Sequence, residues 1–349
     1  MQNKKIFIIN LIYYICMLSV AVVFVLGYLG FLENSYLSTF LIQCVIMFAI
    51  PVILYSLFVT KSAKQTFKDF GFKKISFNIL LCSIALGFVL FFVNGYVADI
   101  FYTILNILGF DNSINVSLSV SKSIGTEFLL TAIAPGICEE ILHRGMFMRG
   151  SSKQGYTRYG LLFSSLLFGL MHLNIQQFFY AMVLGGLMGI VVIVADSIYP
   201  AMIIHFMNNG LNIYFSYGVE YNWPLVDLKY TIENIIYSTN FILSIVLICG
   251  LILLLLAVYR MLVQAIAKDK HKATAMALAK DLKMEDMDYI EMQNKLNEIE
   301  ILLEQSSPNK TLDLSNENPP LKFVDKIFLY SSIILGALIT ICSFIWGVL

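Results

Sequence analysis

Long apolar stretches separated by short polar segments run along most of the chain. A helix needs roughly 20 apolar residues to span a bilayer. Six stretches are good candidates, and three more are shorter or carry polar residues. The six are 6–29, 37–59, 79–97, 128–148, 235–258 and 327–346, and the three are 159–173, 178–195 and 198–215. This pattern predicts an all-α fold, a polytopic membrane bundle of about eight to nine transmembrane helices.

A charged segment interrupts the apolar pattern near the carboxyl terminus. Apolar residues at alternating four- and three-residue steps predict a cytoplasmic amphipathic helix over 263–304. A polar stretch with three prolines predicts a linker over 305–325. The chain thus divides into a membrane core (1–262), this helix, the linker and a final transmembrane helix (326–349). The pattern favours a solvated helix that lies against the membrane or the protein, and the alternative is a surface for a homodimer or a protein partner.

Composition agrees with an integral membrane protein that contacts lipid. The chain is 58% hydrophobic and 13% charged, with a mean hydropathy of +0.78 and a formal net charge of zero. A neutral chain has no general field to attract nucleic acid, so a nucleic-acid partner is not expected. No CxxC pair occurs, and we expect no disulfide and no cysteine-based zinc site.

Basic residues predict the orientation. With a cytoplasmic amino terminus and nine crossings, every Lys and Arg except Lys122 and Lys229 falls on the cytoplasmic side. Cytoplasmic loops carry an excess of basic residues, so we expect this orientation. Richness in Ile, Asn, Lys and Tyr is typical of low-GC bacteria, which points to a bacterial plasma membrane.

Two adjacent carboxylates lie inside an apolar segment. A charge at the bilayer centre costs about 2.5–3.5 kcal/mol, so an intramembrane acid is a functional hypothesis by default. In a helix Glu139 shares a face with His143, and Glu140 shares a face with Arg144. We expect Glu140 to pair with Arg144. Glu139 then remains as the partly desolvated general base, with His143 either beside it or at the inner interface.

Further polar residues follow on the next apolar segments. Phe168 precedes His172 by four residues, and His205 precedes Asn209 by four. Depth counted at about 1.5 Å per residue allows Glu139 and the two histidines to meet near mid-membrane. Asn208 and Asn212 are alternatives to Asn209 if the helix is rotated. Among other polar residues, Gln43 is expected to make an interhelical hydrogen bond, and Gly185, Gly186 and Gly189 to allow close helix packing.

The motifs Glu-Glu-x-x-x-Arg, Phe-x-x-x-His and His-x-x-x-Asn, in this order, resemble the CAAX protease and bacteriocin-processing family (CPBP or Abi), which are intramembrane endopeptidases. The resemblance covers 128–217 and implies that Glu139 activates water. It implies that His172 orients this water, and that His205 and Asn209 stabilise the oxyanion. Glu140 and Arg144 would then hold the first motif helix in register, and Phe168 would pack beneath His172. His143 departs from the family pattern, which more often has an apolar or aromatic residue there.

Alternatives remain open. Glu139, His172 and His205 are ligand types of a catalytic zinc site. However, HExxH is absent and no carboxylate is evident to orient the histidines, so we expect no cofactor, with zinc as the runner-up. A non-catalytic scaffold or bacteriocin-immunity protein is the second function. A proton-relay transporter is the third, although the inverted repeats that it predicts are absent. The substrate, a membrane-associated peptide or protein, is not readable.

Overall fold

The computed structural model describes residues 2–32, 35–111, 123–150, 158–236, 241–281, 294 and 323–348. Within these residues the chain forms eleven helices and no strand. They are α1 (Gln2–Tyr28), α2 (35–60), α3 (Ala63–Asp69), α4 (Phe77–Ile107), α5 (124–149), α6 (Arg158–Leu170), α7 (Ile175–Ala195), α8 (Tyr199–Tyr221), α9 (Val226–Ile236), α10 (Phe241–Asp281) and α11 (Phe323–Val348). The all-α membrane bundle predicted from the sequence is confirmed.

Each of the nine predicted apolar segments corresponds to one of these helices. Six helices are long and apolar enough to cross a membrane, namely α1, α2, α4, α7, α10 and α11. The ranking of two segments was wrong, since α7 is among these six and the central helix α5 is not. The carboxylates, imidazole and guanidinium of α5 lower its hydropathy. The helix α6 ends at Leu170 rather than Leu173, which places His172 in the following turn.

The helix α5 lies at the centre of the bundle and contacts α1, α2, α6 and α8. Two stretches of it are π-helical, Phe128–Ile133 and Ile141–Arg149, and they flank the α-helical turn that carries the two adjacent carboxylates. Pro135 opens this turn, where it removes one backbone hydrogen bond. π-Helical turns inside helices frequently occur at functional sites.

Polar and apolar residues are distributed as a membrane bundle requires. The outer faces of α10 and α11 expose large apolar side chains such as Leu253, Leu256, Ile334 and Leu338. Buried polar residues of other helices, such as Gln43 and His205, instead bond to side chains of α5. Polar groups in hydrocarbon must be satisfied inside the protein, so the interior is where the chemistry of this chain can take place. All six cysteines are free thiols.

The helix α10 runs without a break through residue 262, where the sequence pattern divides core from charged helix. Leu262 and Ile266 are buried against α4 and α7, so the first turns past this boundary pack on the membrane core. The predicted amphipathic helix beyond residue 281 and the linker 305–325 lie outside the described residues, except for residue 294 and the start of α11 at Phe323. A partner role for 263–304 therefore stays a prediction.

The turn between α7 and α8 is held by a cluster of charges. Asp196 accepts hydrogen bonds from Lys73 and, at 2.8 Å, from Arg149 Nη1. Partial burial alone would raise the pKa of Asp196, but the bonds from Lys73 and Arg149 outweigh it and lower the pKa below its ordinary value. Gly71 has φ +86°, and a Cβ there would lie 2.8 Å from Arg149 Nη1, so glycine allows the guanidinium to reach the cluster.

Candidate active site

The motif residues of α5, α8 and the turn after α6 surround one cavity of about 560 Å³. Its lining includes all four side chains predicted to be catalytic: Glu139 from α5, His172 after α6, and His205 and Asn209 from α8. These residues are separated by up to 70 positions in the chain. The structure therefore brings together the groups that the sequence pattern predicts to converge.

Glu139 is buried but borders the cavity, with 8% of its surface exposed. Its Oε1 atom accepts a hydrogen bond of 2.8 Å from Gln43 Nε2 on α2. Its Oε2 atom lies 3.9 Å from His205 Nε2. The interhelical hydrogen bond predicted for Gln43 is thus confirmed, and its partner is the candidate general base itself. Gln43 thus holds Oε1 of Glu139, while Oε2 faces the imidazole of His205.

Glu140 and Arg144 form the predicted pair, with Arg144 Nη1 2.8 Å from Glu140 Oε1 and both side chains fully buried. The same oxygen accepts a hydrogen bond of 2.9 Å from His205 Nδ1. A carboxylate paired with a guanidinium is an acceptor only, so His205 Nδ1 is the donor. The role expected for Glu140, holding its own helix in register, is therefore too narrow, since it also orients the imidazole of α8.

The Phe168 ring contacts His172, His205 and Arg144. Its ring makes edge contacts with His172 and His205, at centroid distances of 5.4 and 5.6 Å. The Arg144 guanidinium stacks over it at 4.3 Å. Arg144 Nη2 also donates to the carbonyl of Gly185 at 2.8 Å. A Cβ at Gly185 would lie 3.0 Å from both Arg144 and Phe168, which explains the small residue at this position.

His172 is oriented by its own backbone. Its Nδ1 atom donates to the carbonyl oxygen of Phe168 at 2.9 Å. This bond fixes the tautomer, and Nε2 keeps a lone pair that can accept a hydrogen bond from water.

His143 does not take either position expected for it. The side chain is fully buried, with Nδ1 2.8 Å from the backbone carbonyl of Glu139 and Nε2 2.9 Å from the hydroxyl of Tyr13 on α1. It therefore faces neither the Glu139 carboxylate nor the inner interface. The carbonyl accepts from Nδ1, so the Tyr13 hydroxyl donates to Nε2. This bond ties α1 to the turn that carries the two carboxylates.

Three asparagines form a chain of amide hydrogen bonds. Asn94 Nδ2 donates to Asn208 Oδ1 at 3.4 Å, and Asn208 Nδ2 donates to Asn209 Oδ1 at 3.1 Å. With its oxygen engaged, Asn209 presents its amide nitrogen as the donor group. Asn208 and Asn212 also line the cavity. The amide of Asn208 is occupied by its neighbours, which favours Asn209 as the group that contacts a ligand.

The fit of a zinc ion can be tested on these residues. Glu140 is a carboxylate that orients His205, so the expectation that no such carboxylate exists was wrong. Among the described residues, however, no three His, Cys, Asp or Glu side chains come together in a way that could hold one metal ion. Glu139 Oε1 is moreover engaged by Gln43. As arranged here, the residues do not fit a tetrahedral zinc site.

A second cavity of about 540 Å³ adjoins the first. The two share Gln43, Glu139, His172 and Gln177. The rest of its lining is mainly apolar and comes largely from α1 and α2: Val20, Val23, Phe24, Ile42 and Met47. The acid and imidazole thus lie where a polar cavity meets an apolar one.

Sequence reasoning missed Glu127, a third carboxylate in the lining of the polar cavity. Glu127 directly precedes the predicted span 128–148, so it lies outside the apolar segment in which a carboxylate stands out. A signal was present, because Glu127, Thr131, Pro135 and Glu139 follow one another at four-residue steps and all line the cavity. Tyr13, which holds His143, carried no comparable signal.

Comparison with known families agrees with the motif reading. Residues 122–211 match the model of the family described as type II CAAX prenyl endopeptidase Rce1-like. The matched segment contains all three motifs and runs from just before α5 into the middle of α8. No curated protein and no solved structure matches the chain. The match confirms the resemblance drawn from the sequence and supports an integral membrane endopeptidase.

Proposed function

On the premise of this family match, we propose that the protein is an intramembrane endopeptidase. It hydrolyses a peptide bond of a membrane-associated peptide or protein with water activated by Glu139. The observation that carries the proposal is the placement of Glu139, His172, His205 and Asn209 around one cavity. Each of these side chains is oriented by a hydrogen bond, as a preorganised site requires.

Glu139 is the general base. As the water oxygen bonds to the carbonyl carbon of the substrate, Glu139 takes the proton that the water loses. Gln43 holds Oε1, so Oε2, on the side of His205, is the oxygen that receives the proton. His172 Nε2 accepts a hydrogen bond from the same water and fixes its second hydrogen away from the attacked carbon.

His205 and Asn209 stabilise the negative charge that develops on the carbonyl oxygen. The Asn209 amide nitrogen is a donor because Asn208 engages its oxygen. His205 donates through Nε2, since Nδ1 is bound to Glu140. His205 therefore acts as an oxyanion donor when both ring nitrogens carry a proton.

The tetrahedral intermediate then collapses. The carbon–nitrogen bond breaks, its electron pair goes to the nitrogen, and the nitrogen takes the proton held by Glu139. The products are a carboxylic acid and an amine, and Glu139 returns to its carboxylate form. Glu139 thus acts as base and then as acid within one turnover.

This chemistry is proposed to need no metal ion. Support comes from the hydrogen bond that Gln43 makes to Glu139 and from the orientation of His172 by a backbone carbonyl. Every proton transfer in the scheme has a named protein group.

The two adjoining cavities support a substrate with a polar and an apolar part. The peptide backbone would lie in the polar cavity, and an apolar side chain or lipid group would lie between α1 and α2. The substrate bond would then lie at Glu139, where the cavities meet. An apolar pocket with a few convergent polar groups is the usual form of a binding site.

The charged end of the bundle is proposed to face the cytoplasm. The amino-terminal end of α1 lies there, because Lys5 Nζ is 3.9 Å from Asp69. Lys73, Arg149 and Asp196 cluster at the same end. This distribution follows the positive-inside rule. Labelling of single cysteines placed at Lys64 and Glu220 in intact cells tests it, and labelling of position 64 from outside would reverse the orientation.

The activity is tested with purified protein in lipid nanodiscs and by mass spectrometry of peptides in cells that carry Glu139→Gln. We expect cleavage to fall by at least about a hundredfold in the variant, while membrane insertion and thermal stability are kept. A precursor peptide should accumulate in the variant cells. Equal peptide profiles and equal cleavage in both proteins would favour a non-catalytic scaffold or immunity protein.

A further inference from the structure

Glu127 is a buried carboxylate that the proposed mechanism does not use. Its side chain is 3% exposed and lines the same cavity as Glu139, His172 and His205. Its Oε2 atom is buried and has no hydrogen-bond partner among the described residues. None of the ion pairs in the described part of the chain involves Glu127. Buried polar atoms are nearly always paired, so the unpaired oxygen of Glu127, which borders the cavity, is a candidate contact for a group that enters it.

The helix geometry explains why Glu127 and Glu139 share the cavity. The two lie twelve residues apart on α5. In a regular α-helix, twelve residues rotate the chain by about one third of a turn beyond three whole turns, which would turn one carboxylate away. The π-helical stretch Phe128–Ile133 lies between them. A π-helix takes more residues per turn, so it removes this excess rotation and keeps both carboxylates on the cavity face.

The chemistry of the subsite follows from its charge. A carboxylate with a free oxygen accepts hydrogen bonds, and its strongest partners are cationic nitrogen groups. Two phenols, Tyr36 and Tyr217, lie close enough to interact electrostatically with Glu127. The described residues supply no ammonium or guanidinium group that pairs with it. A cationic nitrogen group is therefore the ligand chemistry that fits this carboxylate.

We propose that Glu127 is a specificity subsite for a cationic group of the peptide substrate, which is a lysine or arginine side chain or a free amino terminus. Twelve residues of helix separate Glu127 from Glu139 by about 18 Å or slightly less. An extended peptide spans about 3.3–3.6 Å per residue. The cationic group therefore lies about five residues from the bond that is cleaved. This inference rests on the proposed peptidase function.

The test uses a pooled library of twelve-residue peptides with randomised positions. In one arm the peptides have free amino termini, and in the other arm their amino termini are acetylated. Peptides retained by the inactive Glu139→Gln protein in nanodiscs are identified by mass spectrometry. The retention is repeated with Glu127→Gln added, and with Glu220→Gln added instead. Glu220 is an exposed carboxylate that also acts on Tyr217, so its loss controls for the general field at that end of the bundle.

We expect lysine or arginine peptides to be enriched. The enrichment should fall about tenfold or more with Glu127→Gln, since a charge-assisted hydrogen bond is lost. It should persist with Glu220→Gln. Enrichment in the acetylated arm identifies a side chain, and enrichment only in the free arm identifies the amino terminus. Thr131→Lys is the second variant, because Thr131 and Glu127 line the same cavity, so a lysine at position 131 can pair with the carboxylate and should remove the preference with Glu127 in place.

Cleavage of the same library by the wild-type protein separates the two proposals. Cleavage about five residues from a cationic group supports both. Cleavage without any cationic preference, or equal enrichment with and without Glu127, overturns the subsite and leaves the peptidase. Cationic enrichment without cleavage leaves the subsite as a binding site and overturns the peptidase. An absence of enrichment in every protein overturns the subsite.

Discussion

Glu139 and Glu140 are adjacent glutamates that should respond to the same substitution in opposite ways. Glu140 is fully buried, and its Oε1 accepts two charge-assisted hydrogen bonds, from Arg144 at 2.8 Å and His205 at 2.9 Å. Such bonds contribute about 1.5–3 kcal/mol each. Removing one partner of a buried ion pair costs about 3–5 kcal/mol, since it leaves an uncompensated charge. Both figures predict a loss of about 3–5 kcal/mol of unfolding free energy for Glu140→Gln.

The same change at Glu139 should cost less than about 1 kcal/mol. Glu139 has no cation at hydrogen-bond distance among the described residues, and its hydrogen bond comes from the amide of Gln43. A glutamine can keep an amide–amide bond there. Glu139→Gln should therefore abolish cleavage with little loss of stability, whereas Glu140→Gln should lower stability.

The assay is equilibrium unfolding of purified protein in mixed detergent and SDS micelles. The double variant Glu140→Gln with Arg144→Met removes both charges and should recover most of the lost stability, because a buried pair replaced by apolar groups is often neutral. The methionine can keep an apolar contact with Phe168, on which the guanidinium stacks. Equal stability of Glu139→Gln and Glu140→Gln would refute the assignment of Glu140 as the counter-ion of Arg144. A double variant no more stable than Glu140→Gln would refute it as well.

Four further outcomes are expected. Gln43→Leu should lower kcat about tenfold or more with little change in KM, since it frees Glu139 from its orienting bond; an unchanged kcat would contradict this role. Gly185→Ala should cost about 1–3 kcal/mol in thermal unfolding by overpacking, whereas Gly186→Ala, whose nearest contact is at 3.4 Å, is the tolerated control. Asp196→Asn should lose about 1 kcal/mol at neutral pH. Because the folded pKa of Asp196 is lowered, its stabilisation is present above about pH 4 and is lost on acidification. Unfolding of both proteins against pH should therefore converge in acid, and a constant gap would contradict the assignment. Cleavage should persist after exhaustive treatment with a strong chelator, and loss that only stoichiometric zinc reverses would establish a metal mechanism.

Much of the bundle could be predicted because bilayer burial imposes a length and a composition on each helix. The nine apolar segments each correspond to a helix. The pair Glu140–Arg144 was also predictable, since residues four apart on a helix share a face. The ranking of the segments was less accurate, because the pattern placed 128–148 among the six good candidates, whereas the polar groups of α5 exclude it from the apolar spans although it occupies the centre of the bundle.

His143 shows why helical spacing was insufficient within the site. Its spacing from Glu139 predicts that the two side chains meet, but the imidazole bonds to the backbone of Glu139 and to Tyr13, 130 residues earlier. A π-helical stretch begins at Ile141 and changes the register that the spacing rule assumes. Contacts with another helix then decide where the ring points.

The sequence by itself determined which residue types enter the membrane and in what order, because each buried charge stands out against an apolar background. It thereby determined the class of fold and the candidate acid, histidines and asparagine. Only the tertiary structure decided their partners. Gln43 bonds to Glu139, and Glu140 accepts hydrogen bonds from both Arg144 and His205. Glu127 lines the same cavity as Glu139. Hydrogen bonds between helices depend on packing and rotation, which local periodicity along one helix does not encode.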